Sequence, residues 1–538
     1  MKRGMILLLL CLFVVGSVFA GGRRQQQDDG LMVLRVGLAS HSGTFDPQNG
    51  TTATPQYIIN QAYRGLFRFD PDGYIIPALA LRYEVSANGL VYTFHLRPGA
   101  VWSDGVPVRA QDFIFGWQRN FEPALRAPYI GLFNGLVNYD RFLDGLATVR
   151  DLGMRAVNDH TLEVTLSRTQ PYFVAMTTFS PFFPMREDFH PRDSSAYSIQ
   201  PDLRNLVTTG PFKFESYSAN ERIVLVRNPL YWDAHRVQID RLYFYFIPSP
   251  AASVAAYNAG DIDIAINVPQ TVVDVFARPE EVVVVPVLSN STIVFNARHP
   301  QFSDRRVREA IAIAIERQEM ADVLGGGITP LRAMIPPGIT NPATGRDFRE
   351  EGGDLIIEDI PRARRLLAEA GFPNGQGFPT VEFLFNNDSH NWVLISQMLQ
   401  EQLRRNLNIN VTLRGHEWAT FRNDRNSGQH EFVRHGTTAD YVDPTTWFNL
   451  YISNRPLSQA MVGNHTPEFD ALVAYSDTIL DPGRRFEVLH QVERLLMRDL
   501  YWVPLVQMPM PFLQRPFVHG AHPGSSSSIC LAYAWVTR

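Results

Sequence analysis

The chain opens MKRGMILLLLCLFVVGSVFAGGRRQQQDDG, and after that opening it holds a single cysteine, Cys530. Together these facts restrict the fold more than any other feature. Lys2 and Arg3 precede an apolar run, Met5 to Val15, too short to span a bilayer comfortably, and Val18 and Ala20 stand at −3 and −1 of a small-residue cleavage site. The reading is a signal peptide over residues 1–20, cut after Ala20. An uncleaved anchor is the alternative, because Arg23 and Arg24 follow the run like a stop-transfer flank. Cys11 lies inside the run behind Leu8, Leu9 and Leu10, so no small residue occupies −1 and a lipid anchor is not expected. An exported chain with one cysteine has no internal disulfide, so its hydrophobic core must hold it.

That core is affordable: 45% of the residues are hydrophobic and eight are Trp, in 538 residues, enough for two or three domains. Net charge is −5, and −7 once Lys2 and Arg3 are removed. A mildly acidic chain without a basic run argues against nucleic acid and against an anionic membrane surface. No later segment is apolar for long enough to cross a membrane, so a soluble exported globule is expected.

Strand and helix signals are mixed throughout. LMVLRV from Leu31, the alternating Val91 to Leu96, Leu162-Val164-Leu166, RIVLVRN and RLYFYFI read as strands punctuated by Pro98-Gly99, Ser103-Asp104-Gly105 and Asn158-Asp159. Ser303 is a candidate N-cap for a helix carrying Val307, Ala310, Ile311, Ala314 and Ile315 and stopping at Gly325. A second helix starts near Pro361 and stops at Gly371, WVLISQMLQEQLRRNLNINVTLRG reads as helix then strand, and RRFEVLHQVERLLMRDL as a late amphipathic helix. With 37 prolines, long connections and no fixed-period repeat, the class is α/β with more than one domain.

No reaction can be argued from the residues. HEFVRH puts His430 and His435 five apart, whereas a zinc helix needs its histidines four apart on one face. His416 has no partner, no G-x-S-x-G elbow occurs, and Gly325 to Gly327 lack the Lys and Ser/Thr of a phosphate loop and read better as a helix cap. Asp261 and Asp263 alternate as edge-strand residues do, and nothing around Cys530 marks an activated thiol. Binding is what remains. Tyr129, Trp418, Tyr441 and Trp447 stand beside charges or loops, although core packing accounts for each taken alone. In VRHGTTADYVDPTTW the acid Asp440 has no catalytic companion, which leaves a turn residue or a counter-ion for a cation arriving with a ligand.

Leu79 to Arg119 (LALRYEVSANGLVYTFHLRPGAVWSDGVPVRAQDFIFGWQR) resembles a diagnostic segment of the extracytoplasmic oligopeptide-binding proteins of ABC importers, solute-binding protein family 5. LGMRAVNDHTLEVTLSRTQPYF, NERIVLVRNPLYWD, FSDRRVREAIAIAIERQEM and RHGTTADYVDPTTWFNLY match the same family in the same order. The resemblance implies an α/β, two-lobed, three-domain periplasmic-binding-protein clamp of class II type, one lobe discontinuous in sequence. Its domains would be 31–63 with 189–288 and 508–538, then 64–188 inserted in the same lobe, then 289–507 as the second lobe.

It also implies a function: no catalysis and no cofactor or metal, but capture of an oligopeptide between the lobes and delivery to a membrane permease by a periplasmic monomer. Asp440 would pair with the peptide's α-ammonium and Arg434, six residues upstream, with its carboxylate. Trp418 would wall a side-chain pocket and Tyr129 would close over the peptide. Gly436, Thr437 and Thr438 on one side, and Thr51 to Thr54 (including Ala53) on the other, would pair with its main chain as strand addition. Departures leave pocket shape and peptide length open. Thr437 and Thr438 stand where relatives often have aromatic and cysteine residues, Ser289 replaces the partner cysteine, and Asn290-Ser291-Thr292 replaces a tyrosine run. Gly325 to Gly327 replace a basic residue, and His390 is off the spacing of another. Fold does not fix cargo. A dipeptide, cell-wall peptide, haem or metal chelate in the same clamp is the runner-up, followed by a secreted peptide hydrolase and by an adhesin or chaperone on this fold.

Overall fold

A computed structural model describes residues 30–39, 44–50, 53–71, 73–190, 192, 206–266, 268–464, 466–523 and 529–537. The expected signal peptide and Thr51 lie outside them.

Three sheets organise the chain. The first has seven strands in the order Val282–Val285, Met510–Gln514, Ile264–Ala265, Val33–Leu38, Arg241–Phe246, Arg222–Arg227, Phe212–Ser218. Val33–Leu38 lies at its centre, parallel to both neighbours. Five of its six residues are buried, which fits a strand covered on both faces. Ile58, Ile59 and Ala62 of the Ala53–Ala62 helix belong to the core on one face, and Tyr257 of the Pro250–Ala259 helix packs with Ile262 and Leu513 in a separate small cluster.

The second sheet is an antiparallel meander of Ala80–Val85, Val91–Leu96, Thr161–Thr165 and Met154–Asn158. Val91–Leu96 alternates as its sequence requires: Tyr92, Phe94 and Leu96 point in, against Leu162, Val164 and the Ala110–Arg119 helix with Phe113 and Trp117. The first two sheets share one continuous apolar core and so form one lobe.

The third sheet runs Thr329–Pro330, Trp502–Gln507, Ser289–Phe295, Phe432–Thr438, Val381–Asn386, Val411–His416. It builds its own core with the helices Arg305–Ala314, Ile360–Glu369, His390–Leu407 and Pro482–Asp499. This is the second lobe of a two-lobed α/β clamp.

Helix termini follow local chemistry. Asp359 caps Ile360–Glu369 through the Arg362 N–H, with proline in the first turn. The helix expected from Ser303 to Gly325 is instead two, Arg305–Ala314 and Arg317–Leu324, Ser303 closing a separate turn Pro300–Ser303, and the N-cap of the longer helix is Asp304. The break at Ile315 and Glu316 is held from a distance. Gln402 accepts the Glu316 N–H at 3.0 Å and donates at 3.1 Å to its carbonyl, which also accepts the Met320 N–H of the following helix.

The chain passes directly between the lobes where Val282–Val285 leads into Ser289–Phe295 and where Trp502–Gln507 leads into Met510–Gln514. Each crossing is two or three residues long, and the two are tied together. Gln507 donates to the Val287 carbonyl at 2.7 Å and the Ser289 hydroxyl to the Met508 carbonyl at 3.1 Å. Short, adjacent connections between separately cored lobes make a hinge.

Candidate functional site

Besides these crossings, the lobes meet at a pair of tyrosines. Tyr172 of the first lobe stacks on Tyr441 of the second, centroids 5.2 Å apart and planes 8° from parallel. Asn449 donates to both phenol oxygens at 3.2 Å, and the Tyr172 hydroxyl reaches Asp477 at 3.4 Å. Tyr441 consequently belongs to the first lobe's core. Behind it Arg485 grips Asp443 with two bonds of 2.7 and 2.9 Å, both side chains buried, and Asp443 also accepts from the backbone and hydroxyl of Thr445. The turn following Asp440 is thus pinned from below. Burial pushes Asp477 up to about 7 against the pull of Arg485. A second contact joins Gly326 to Asp274 of the first lobe, N–H to carboxylate, at 2.6 Å. Gly325 caps its helix as expected, with φ +62 and an N–H bond to Ala321. The adjoining glycine has the cross-lobe contact as well.

Asp440 lies two residues past the end of Phe432–Thr438, in a bend rather than on the strand, with its N–H on the Thr446 hydroxyl at 3.1 Å. No Lys, Arg or His among the described residues pairs with it. Burial alone raises its carboxyl to about 6. Tyr129 opens the Ile130–Phe133 turn of the first lobe and packs edge-on against Phe179 at 4.9 Å. Burial, and after it the Asp440 charge, push its phenol well up. Asp440 and Tyr129, from opposite lobes, therefore share one electrostatic neighbourhood.

Arg434 is 7% exposed. Its guanidinium carbon sits 4.7 Å from the Phe421 ring and 5.0 Å from both Trp392 and Trp418, while its Nε is buried without a hydrogen-bond partner. No carboxylate among the described residues pairs with it. Burial and then the neighbouring Arg425 charge bring it down to about 9, with distant Asp388 acting the other way. Trp418 is 42% exposed in the first turn of Trp418–Asn426, where Glu417 caps two N–H groups and Asp388 accepts the Trp418 N–H at 3.1 Å. The aromatic cage draws on two helices, His390–Leu407 and Trp418–Asn426, and Trp392 and Phe421 were missed by sequence reading. The only available signal was the clustering of aromatics in WVLISQ and EWATF.

Between Arg434 and Asp440 one strand edge is open. Ser289–Phe295 covers Phe432–Thr438 along its whole length on one side, but Val381–Asn386 pairs on the other side only at Phe432 and Val433. Gly436 and Thr438 are exposed there, and Thr437 turns its hydroxyl to the buried His435 ring at 3.0 Å. Ala53 does not lie in an extended loop as expected. Ala53 and Thr54 form the first turn of a helix, whose leading N–H groups have no intrahelical acceptor. The loop before it is anchored by Asp46, which with Arg119 makes a fully buried ion pair (bonds of 2.9 and 2.6 Å). His430 bonds to the Met461 carbonyl at 3.1 Å, and His430 and His435 are both buried in the second lobe.

Residues 74–459 match the model of the bacterial extracellular solute-binding proteins, family 5. The chain belongs to that family. It is 31% identical over 491 residues to the periplasmic oligopeptide-binding protein OppA of Escherichia coli, covering 89% of this chain and 87% of that one. It is 30% identical over 494 residues to the probable deoxycholate-binding periplasmic protein YgiS of the same organism, covering 91% and 90%. The crystal structure of a periplasmic oligopeptide-binding protein of Borrelia burgdorferi superimposes with a TM-score of 0.78 at 28% identity, over 94% of this chain and all of the other. Family 5 membership and the clamp architecture thus rest on sequence and coordinates alike.

Proposed function

We propose that this family 5 protein captures oligopeptides between its lobes outside the cytoplasmic membrane, in the periplasm after signal cleavage, and hands them to the permease of an ABC importer. The observation that carries the reading is a desolvated, unpaired carboxylate, Asp440, at one end of an open strand edge, with a desolvated, unpaired guanidinium, Arg434, toward the other. A buried unpaired ion costs several kcal/mol, so each end favours a ligand group of opposite charge. Six residues of extended chain span up to about 20 Å, so the pair suits a short zwitterion held extended. Gly436 to Thr438 would donate and accept main-chain bonds along the edge, which gives affinity with little sequence preference. Tyr129, Trp418 and the helical turn at Ala53 would line the remaining walls.

The protein then acts by closure rather than catalysis, as a monomer. Each sheet draws all its strands from one of the expected ranges, which supports 31–63 with 189–288 and 508–538, then 64–188, then 289–507 as the three folding units. A second cargo is favoured by one observation: the cage of Trp392, Trp418 and Phe421 around Arg434 also fits an anion on an apolar body. Calorimetric titration of refolded protein with mixed tri- to pentapeptides and, separately, with deoxycholate separates the two. Heat from the peptides alone supports the proposal, and heat from deoxycholate alone replaces it with the second cargo.

A further inference from the structure

Beyond the C-terminal end of the Ala53–Ala62 helix, the first lobe gathers more guanidinium groups than counter-ions. Arg64 follows the C-terminal end of the Ala53–Ala62 helix, a helix length of about 15 Å from the turn at Ala53. It is 6% exposed, donates to the carbonyls of Asn60 and Tyr63, lies 5.9 Å from the Tyr231 ring, and leaves its Nε buried without a partner. Trp232 packs on Tyr231 at 5.1 Å, and Arg97 covers Trp232 at 3.9 Å, with one bond to the Ala78 carbonyl. Arg68 and Arg236 lie over Tyr533 at 5.2 and 4.3 Å, and the Arg68 Nε is again buried and unpartnered.

Among the described residues one carboxylate serves the group. Asp233 is buried and already accepts the Tyr533 hydroxyl at 2.7 Å, with Arg236 at 3.5 Å. Among the described residues no acid pairs with Arg64, Arg68 or Arg97. Four guanidiniums and one carboxylate leave three positive charges in a half-buried, aromatic-walled site. Arg119 and Arg485, by contrast, are each buried against an acid, Asp46 and Asp443. A planar carboxylate from a ligand meets one fork well, whereas a tetrahedral phosphate oxyanion, singly charged as a diester headgroup and up to doubly charged when free, turns its oxygens toward several forks at once and accepts N–H bonds from each.

We propose that Arg64, Arg68 and Arg97 form a phosphate-class oxyanion site on the first lobe, independent of the cleft and open either to free phosphate or to the phosphate of an anionic lipid headgroup. Arg68 and Arg97 are half exposed and admit the anion, while Arg64 forms the floor. Cys530 provides a built-in reporter. Burial would raise its thiol, but a bond from His522 and then the Arg64 charge outweigh it and bring the thiol down to about 7. An anion on Arg64 cancels part of that charge and shifts the thiol upward.

The test uses the mature protein at constant ionic strength. Inorganic phosphate is titrated against sodium chloride by calorimetry, the Cys530 thiolate is followed by ultraviolet absorbance across pH, and phosphatidylglycerol vesicles are compared with phosphatidylcholine vesicles by sedimentation. Phosphate binding that raises the Cys530 pKa and weakens about tenfold in Arg97→Gln and Arg68→Gln, the worth of one charge-assisted hydrogen bond, supports a free-anion site. Selective sedimentation with phosphatidylglycerol, lost in the same variants, supports a headgroup site. Arg97→Lys, which keeps the charge without the fork, falls between. Peptide binding in the cleft stays unchanged in every variant, which shows that each is folded. The proposal fails if neither probe binds, if binding is the same in Arg97→Gln and Arg68→Gln, or if only an acidic peptide binds the patch.

Discussion

At the scale of residues, the account turns on two charges that the fold desolvates without pairing. Asp440 is raised to about 6, so below that pH a peptide ammonium must displace a proton to bind. Peptide affinity is expected to be flat between about pH 6 and the α-ammonium pKa near 8, and to fall by up to tenfold per pH unit below about 6, measured by calorimetry at fixed ionic strength. Asp440→Asn removes that dependence along with most of the affinity. For Arg434 the two effects of substitution have opposite sign. Arg434→Met deletes an uncompensated buried cation from an aromatic cage, so the melting temperature of the protein without peptide holds or rises. Peptide affinity falls by about 1.5–3 kcal/mol, the worth of a hydrogen bond to a charged group. Calorimetry and thermal melting on one sample check both signs. The charges themselves were legible, since an acid without catalytic company beside an aromatic posed the question. Their desolvation was not, because Phe421 and Trp392 reach Arg434 from elements separated in sequence.

At the scale of elements, the open edge of Phe432–Thr438 is the feature proposed to bind peptides of any sequence. A peptide N-methylated at a residue paired with that edge loses a backbone donor, with an expected cost of about 0.5–1.5 kcal/mol per bond, whereas side-chain changes at the same residue cost less. A methyl scan by competition binding would show it, and equal tolerance at every position would remove strand addition from the account. Alternation alone placed Val91–Leu96 and Thr161–Thr165, because one face of that meander is buried and the other wet. Periodicity over-extended the Ser303 helix. It is blind to Gln402, eighty-six residues away, whose amide takes the Glu316 N–H and shares its carbonyl with Met320. Ala53 was misread because the Gly-Ser-Pro punctuation before it signals a loop but not where the next helix starts.

At the scale of the whole molecule, two short crossings and a stack of tyrosines form a lever and its latch. Tyr172 and Tyr441 stack across the lobes, so Tyr172→Ala is expected to shift the protein without peptide toward an open form, with a larger radius of gyration by small-angle X-ray scattering, and to speed peptide release. An unchanged radius in that variant would mean that the latch lies elsewhere. The central claim is that Asp440 receives the free amino terminus of a peptide enclosed by this clamp, and one comparison reaches it directly. Refolded protein is titrated with matched tri- to pentapeptides bearing free or acetylated amino termini, and Asp440→Asn is titrated with both. The account predicts tight binding of the free form, loss on acetylation, and no preference between the two in the variant. Equal binding of free and acetylated peptides by the unmodified protein would contradict it.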